Sequence, residues 1–288
     1  MRLKLISFLP IAFLFTVVIS SSAVNAAPQH NPVPGGIVLI DIADSQIASS
    51  ARNNSQRIAS IQNADKTQLL IGLSLNTKPG NHFISIKNNK GKTEKITFNV
   101  KPKTYKAQYL TIKNKRKVNP YEKDMKRILS EKKRKGIAKK HWIDSPVQSD
   151  FVTPVDGRIS SIFGLRRFFN EQPRRPHSGL DIAAPQGTPI QAVASGTVIE
   201  SGDFFFSGNM VYLDHGQGLI SLYAHMHEIG VKPGDQITKG QIIGTVGETG
   251  RVTGPHLHLA VILNQTTVDP LFFLPQLSDK AVDYFKSN

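Results

Sequence analysis

The chain has 288 residues, no cysteine and a formal net charge of +15 at pH 7. The length accommodates two domains of roughly 100–200 residues, and the missing thiols exclude disulfides, thiolate metal ligands, a nucleophilic cysteine and a lipidated amino-terminal cysteine. The charge would suggest nucleic acid if it covered a folded surface, but residues 101–140 hold 16 of the 36 Lys and Arg against Glu122, Asp124 and Glu131, a local excess of 13.

Residues 1–26 open with Arg2 and Lys4, run apolar from Leu5 to Ile19 and end in small residues around Ala26, the pattern of a signal peptide. The run is shorter than the ~20 residues a membrane span needs and contains Pro10. No later stretch is apolar enough to cross a bilayer. The mature chain is therefore expected to be exported, to the periplasm or cell envelope, with no transmembrane span and no nucleic-acid partner.

Residues 28–102 read as short strands between turn residues. "GIVLIDI", "TQLLIGLSL", "HFISIKN" and "TEKITFNVK" are separated by "NTKPGN" and "KNNKGK", with no helical period. The spacing predicts a small β-sandwich with a packing or binding role. Residues 103–149 form a basic connector, which suits either attraction to acidic envelope polymers or a solvated linker. Within it "NPYEKDMKRILSEKKRKG" predicts a helix capped by Asn119, opened by Pro120, boxed by Glu122 and stopped by Gly136. Tyr121, Met125, Ile128 and Leu129 make an apolar stripe expected to lie against a domain.

From Phe151 the pattern is strands and glycine turns with no long helix, and residues 150–278 predict an antiparallel, barrel-like sheet. "VKPGDQITKGQIIGTVGETG" looks like half of a lipoyl or biotinyl hammerhead but lacks a matching lysine for modification, so shared turn geometry accounts for it.

Chemistry concentrates in this last region. In "GPHLHLAVIL", His256 and His258 share one strand face with Ala260 while Leu257, Leu259 and Val261 share the other. Six of the nine histidines fall between 177 and 258, joined by Asp181 in "PHSGLDIAAP". A catalytic zinc takes three His, Asp or Glu ligands and keeps one position open, and spare imidazoles can move protons near neutral pH. Spacing alone assigns no unique ligand set. His215 in "VYLDHG" reads as a hydrogen-bonding residue at a strand end. His227 is set aside because "EIG" looks like a turn, and His30, His82 and His141 read as surface residues. Gly254 and Pro255 set the approach of the last strand, and Asn209 is placed to fix a loop.

The run from "SIFGLRR" through "HSGLDIAAPQGTPIQAVASGTVIESG", "GNMVYLDHGQGLISLYAHM" and "GPHLHLAV" to "VDP" resembles the catalytic domain of lysostaphin-type (LytM-type) zinc metallopeptidases over about residues 150–272. Both signatures, H-x-x-x-D and H-x-H, are present. The resemblance implies one zinc held by His177, Asp181 and His258, with His225 and His256 flanking the reacting water. It implies a peptidoglycan hydrolase that cuts peptide cross-links, and in a periplasm the D-alanyl–diaminopimelyl bond. "VPGGIVLIDI" and "KPGNHFISI" resemble the immunoglobulin-like domain that precedes the catalytic domain in some Gram-negative members. Some relatives keep the fold without the ligands and activate other wall hydrolases, which is the alternative function. Two departures, "LAV" after H-x-H and the charged "RRFFNEQPRRPH", are expected to leave the ligands untouched. Domain order makes the sandwich and its helix candidates to cover the groove.

Overall fold

The structure is a computed structural model that describes residues 28–42, 45–63 and 66–277, with Lys280, Ala281 and Tyr284. The signal-peptide segment lies outside the described residues. Among the described residues no helix is long and apolar enough to cross a membrane.

The amino-terminal unit is built from two antiparallel sheets. Strands β1 (Ile37–Ile42), β2 (Ala59–Asn63) and β3 (Lys66–Gly72) form the first in the order β1-β3-β2, and β4 (Gly80–Lys87) and β5 (Thr93–Val100) dominate the second. Strand alternation decides how the first sheet is used. Val38, Leu69 and Ile71 point toward Ile84, Ile86 and Val100 of the second sheet, whereas Ile37 and Leu70 join the core of the following domain. The first sheet is therefore buried on both faces. Polar clamps fix this junction: Gly72 N donates to Asn264 Oδ1 at 3.0 Å and Ser60 N to Gln217 Oε1 at 3.0 Å.

After β6 (Ala107–Leu110), a basic helix spans Glu122–Lys139. Its start and stop differ from expectation. Tyr121 is the cap, with its N–H bonded to Asp124 Oδ2 at 3.0 Å, and Gly136 lies inside the helix, which ends at Lys140. Contacts made beyond the glycine hold the last turn, where Ala138 is buried against the sheet.

Of the apolar stripe only Ile128 is half-buried, at the edge of a groove. Tyr121, Met125 and Leu129 are exposed, and the helix lies on the domain through charged residues instead. Glu131 accepts from Phe205 N at 2.8 Å and from Arg127 Nε at 2.6 Å, and Arg134 grips Glu200 through two bonds of 2.7 and 3.0 Å. Hydrogen-bond partners offered by the 200–207 segment outweigh the modest gain from burying three scattered apolar side chains.

The carboxy-terminal domain contains β7 (Arg158–Ser161), β8 (Arg166–Phe169), β9 (Leu180–Ala183), β10 (Pro189–Gln191), β11 (Gly196–Phe204), β12 (Gly208–Asp214), β13 (Leu219–Ile229), β14 (Gln236–Ile237), β15 (Ile242–Val246), β16 (Leu257–Leu263) and β17 (Thr266–Val268). Ten of these strands make one sheet whose main path runs β14-β11-β12-β13-β16-β9-β7, with β15 joining β13 to β10 and β17 pairing with β16. All these pairings are antiparallel, and the path does not close into a barrel. β8 lies outside it, pairing in parallel with β6 of the connector.

One face of the sheet carries Val211, Leu213, Tyr223, Leu257, Leu259 and Val261 into the main core. The opposite face, with Tyr212, Leu222, Ala224, Ala260 and Ile262, packs under Ala138 of the helix. Burial on two sides explains why "HLHLAVIL" and "GLISLYAHM" read as nearly continuous apolar runs. The His256–His258–Ala260 side of β16 belongs to the face beneath the helix.

Candidate metal centre

Sheet register assembles the site. On β16, His258 sits opposite Asp181 of β9 on one side and Ala224 of β13 on the other. Asp181 in turn pairs with Ser161 of β7. His177 belongs to the preceding loop, which is held by Gly164 N bonding to its carbonyl at 2.8 Å and by its own N–H bonding to Leu165 O at 2.8 Å. Gly179, inside the H-x-x-x-D spacing, is required by close approach: a Cβ there would lie 2.3 Å from Leu259 O and 2.7 Å from the His258 ring.

Three ligand-type atoms converge. His177 Nε2 lies 3.0 Å from Asp181 Oδ1 and 3.1 Å from His258 Nδ1, and the last two atoms are 2.7 Å apart. Among the described residues this is the cluster of His and carboxylate groups able to hold a metal. Tetrahedral zinc with bonds of ~2.1 Å keeps its ligand atoms ~3.4 Å apart, so small side-chain rotations would open the three atoms to that spacing. The donor set of two imidazoles and one carboxylate suits zinc.

The surroundings fix these groups. His177 Nδ1–H donates to Ile162 O at 2.6 Å, which leaves Nε2 as the free nitrogen, and Ser161 Oγ stands 3.2 Å from the same Nδ1. Burial pulls His177 down to about 4 against the attraction of Asp181. Burial alone would push the Asp181 carboxyl up, but His177, His258 and Arg167 together hold it well below the ordinary carboxylate range.

No motif or spacing singles out Arg167. Its Nη2 donates to Asp181 Oδ2 at 2.6 Å and to Ser161 Oγ at 3.1 Å, so the charged "RRFFNEQPRRPH" segment does touch a ligand. Alternation along β8 is the signal that was available: Arg166 is exposed while Arg167 turns inward beside the carboxylate.

His225 and His256 stand beside the three-residue cluster. Their ring centroids are 4.9 Å apart, and His225 lies 6.0 Å from His258. Each donates Nδ1–H to a backbone carbonyl at 2.8 Å, His225 to Thr249 O and His256 to Gly254 O, so Nε2 is the unprotonated nitrogen of the neutral ring. Burial, then the neighbouring His256 and His258, holds His225 well below its usual range. His225 also has φ of 65°, where the β12–β13 register shifts between Asn209 and Val211. A non-glycine residue in that region is strained by ~1–3 kcal/mol, and such strain gathers at functional sites. No periodicity in the sequence shows this bulge.

The remaining histidines serve the scaffold. His215 is buried, with Nδ1 2.8 Å from Ser195 O and Nε2 2.7 Å from Ser221 Oγ. His141 pairs with Asp214 at 2.6 Å. β13 runs through Ile229 rather than turning at "EIG", yet His227 is exposed, and Asn209 Nδ2 donates to its carbonyl at 2.8 Å.

A cavity of about 720 Å³ opens from this cluster toward the basic helix, and His177, His225 and His258 are among its walls. The helix thus lines the groove. The amino-terminal unit meets the opposite end of β16, near Asn264, and none of its described residues lines the groove.

Comparison with known proteins agrees with this organisation. Residues 175–270 match peptidase family M23, and residues 30–103 match the peptidase family M23 N-terminal domain. The peptidoglycan DD-endopeptidase ShyC of Vibrio cholerae is 42% identical over 142 residues, covering 47% of this chain and 33% of that protein. The DD-carboxypeptidase/endopeptidase Mpg of Neisseria meningitidis is 43% identical over 114 residues, covering 40% of this chain and 26% of its own length. The chain therefore spans a third or less of these curated relatives. A crystal structure of a Pseudomonas aeruginosa chain assigned to peptidase M23 superposes with a TM-score of 0.71 at 35% identity, covering 85% of this chain and 95% of that one. With that identity sustained over nearly the whole of a solved relative, the chain belongs to peptidase family M23.

Proposed function

We propose that this protein is a zinc-dependent endopeptidase that cuts the peptide cross-links of peptidoglycan. The observation that carries the reading is the convergence of His177 Nε2, Asp181 Oδ1 and His258 Nδ1 at the end of a groove. Those three residues would hold the metal. Zinc supplies Lewis acidity toward a carbonyl oxygen and toward water. The protein supplies the proton chemistry. One of His225 and His256, each oriented by a backbone carbonyl, would take a proton from water at Nε2 and pass that same proton to the leaving amine, and the other, when protonated at Nε2, would steady the charge developing on oxygen.

The D-alanyl–diaminopimelyl bond is the proposed target, in keeping with the DD-endopeptidase description of the ShyC relative. The proposed organisation is a signal peptide over 1–26, an immunoglobulin-like unit over 28–102, a basic connector over 103–149 and the peptidase over 150–278. It assigns the mature protein to the periplasm, with the outward-facing Lys123, Lys126, Lys132 and Lys133 of the docked helix as the contact for acidic envelope polymers.

The test is digestion of purified peptidoglycan by the mature chain, with chelator and with added zinc, and products identified by mass spectrometry. Loss of cross-linked dimers that chelator abolishes and zinc restores is the expected result. An intact wall in the presence of stoichiometric zinc overturns the endopeptidase reading. An intact wall with no zinc bound directs attention to a regulator of other wall hydrolases.

A further inference from the structure

The groove beside the candidate metal centre carries an unusual charge distribution. Lys135 and Lys139 reach it from the helix, Arg174 and Arg175 from the loop before His177, Arg251 from the loop before β16, and Arg167 from β8. Glu131 is the acid in its lining, and it is already bonded to Arg127 and to Phe205 N. Arg167 is engaged by Asp181. The other five cations have no acidic partner among the described residues. Arg174 donates to neutral oxygens, including Val118 O and Asn119 Oδ1, both at 3.1 Å, and Lys135 donates to Ser207 Oγ at 2.9 Å.

Lys135, Lys139, Arg174 and Arg251 are half-buried, and Arg175 is exposed at the rim. The Arg251 guanidinium lies 4.6 Å from the ring centroids of both Phe169 and Phe206, which holds it in place. Burial, together with neighbouring cations, lowers Lys135 to about 8 and Arg251 to about 10, and burial with Arg175 nearby lowers Lys139. Lys135 and Arg251 remain largely protonated at neutral pH. A site that gathers unpaired, partly dehydrated cations is complementary to an anion, which would restore the charge balance that folding left open. The floor is apolar, with Leu222, Ala260 and Ile262, and suits the aliphatic part of a peptide.

We propose that this groove is a carboxylate-binding subsite that selects the acidic arm of the peptide substrate. Lys139, Arg175 and Arg251 pair with free carboxylates flanking the scissile bond, and the basic helix acts as a specificity wall. The inference rests on the peptidase reading for the identity of the ligand.

The experiment uses the full-length chain, metal-free in chelator so that nothing is hydrolysed, and calorimetric titration with two synthetic cross-linked stem peptides. One has its carboxylates free and the other has them amidated. The acidic peptide is expected to bind at least ~10-fold tighter at 50 mM salt, with the gap closing at 500 mM as screening shortens the reach of each charge. K139Q/R175Q removes the preference, and K139R/R175K, which keeps the charges, retains it. Equal affinity for the two peptides overturns the proposal, as does a preference that survives K139Q/R175Q in a variant that melts like the parent. Cleavage with zinc is scored separately. A retained charge preference without cleavage sinks the peptidase reading alone, and cleavage without charge preference sinks this one alone.

Discussion

Replacing Arg167 with Met tests the electrostatic design of the site. Met keeps much of the aliphatic volume of the arginine stem while deleting the charge. Asp181 is buried, and Arg167 Nη2 at 2.6 Å is its permanently charged partner, because the imidazoles of His177 and His258 are neutral when they serve as ligands. Breaking a buried pair from one side costs ~3–5 kcal/mol. The Arg167 side chain is 16% exposed and two imidazoles still face the carboxylate, so the lower end, about 3 kcal/mol, is expected for the metal-free protein. Bound zinc supplies the missing countercharge, and the loss should then shrink to about 1 kcal/mol. Urea unfolding of the mature chain in chelator and in excess zinc reads both values. Arg166→Met, one residue away and exposed, should cost ~0.5 kcal/mol or less in either condition. Equal losses for Arg167→Met with and without zinc, or no loss in chelator, would refute the assignment of Arg167 as countercharge.

His258→Ala should lower zinc affinity by at least ~100-fold by removing a ligand, measured by equilibrium dialysis with cleavage followed in parallel. His225→Ala and His256→Ala should instead keep zinc and lose ~100–10,000-fold in cleavage rate, as expected for proton-transfer groups, and loss of metal from either would count against that role. His215 gives a pH dependence: burial lowers it from 6.5 to about 4, so the unfolded chain binds the extra proton between those values and stability falls as pH drops through that window. The full window is worth about 3–4 kcal/mol at ~1.4 kcal/mol per unit, and His215→Gln should flatten the slope of unfolding free energy against pH between 4 and 6.5. Arg134→Ala removes the two bonds to Glu200 and a cation–π contact 4.4 Å from Phe204, and should loosen the helix by ~1 kcal/mol after discounting for exposure. Faster hydrogen exchange confined to Glu122–Lys139, with Leu257–Leu263 unchanged, is the signature to look for.

Much of the site was legible in the sequence because strand alternation is local. His256, His258 and Ala260 had to share a face, and the H-x-x-x-D and H-x-H signatures named the residues that the register of β9 against β16 brings together. The helix shows where such reasoning fails. Its apolar period was genuine, yet Tyr121, Met125 and Leu129 face solvent and only Ile128 reaches the groove, because Glu131 and Arg134 found partners on the 200–207 segment that no pattern within the helix could reveal.

The sequence by itself determined the β-rich class, the placement of metal-competent side chains and the concentration of positive charge before the last domain. These follow from residue type and from periods of two and about four residues, which act over a few ångströms. Tertiary structure alone decided that Arg167 neutralises Asp181, that a bulge with positive φ presents His225, and that the basic helix lies along the groove instead of serving as a solvated connector. Each depends on segments 14 or more residues apart meeting in space, and such encounters are selected by the burial and pairing of the whole fold, not by any stretch within it.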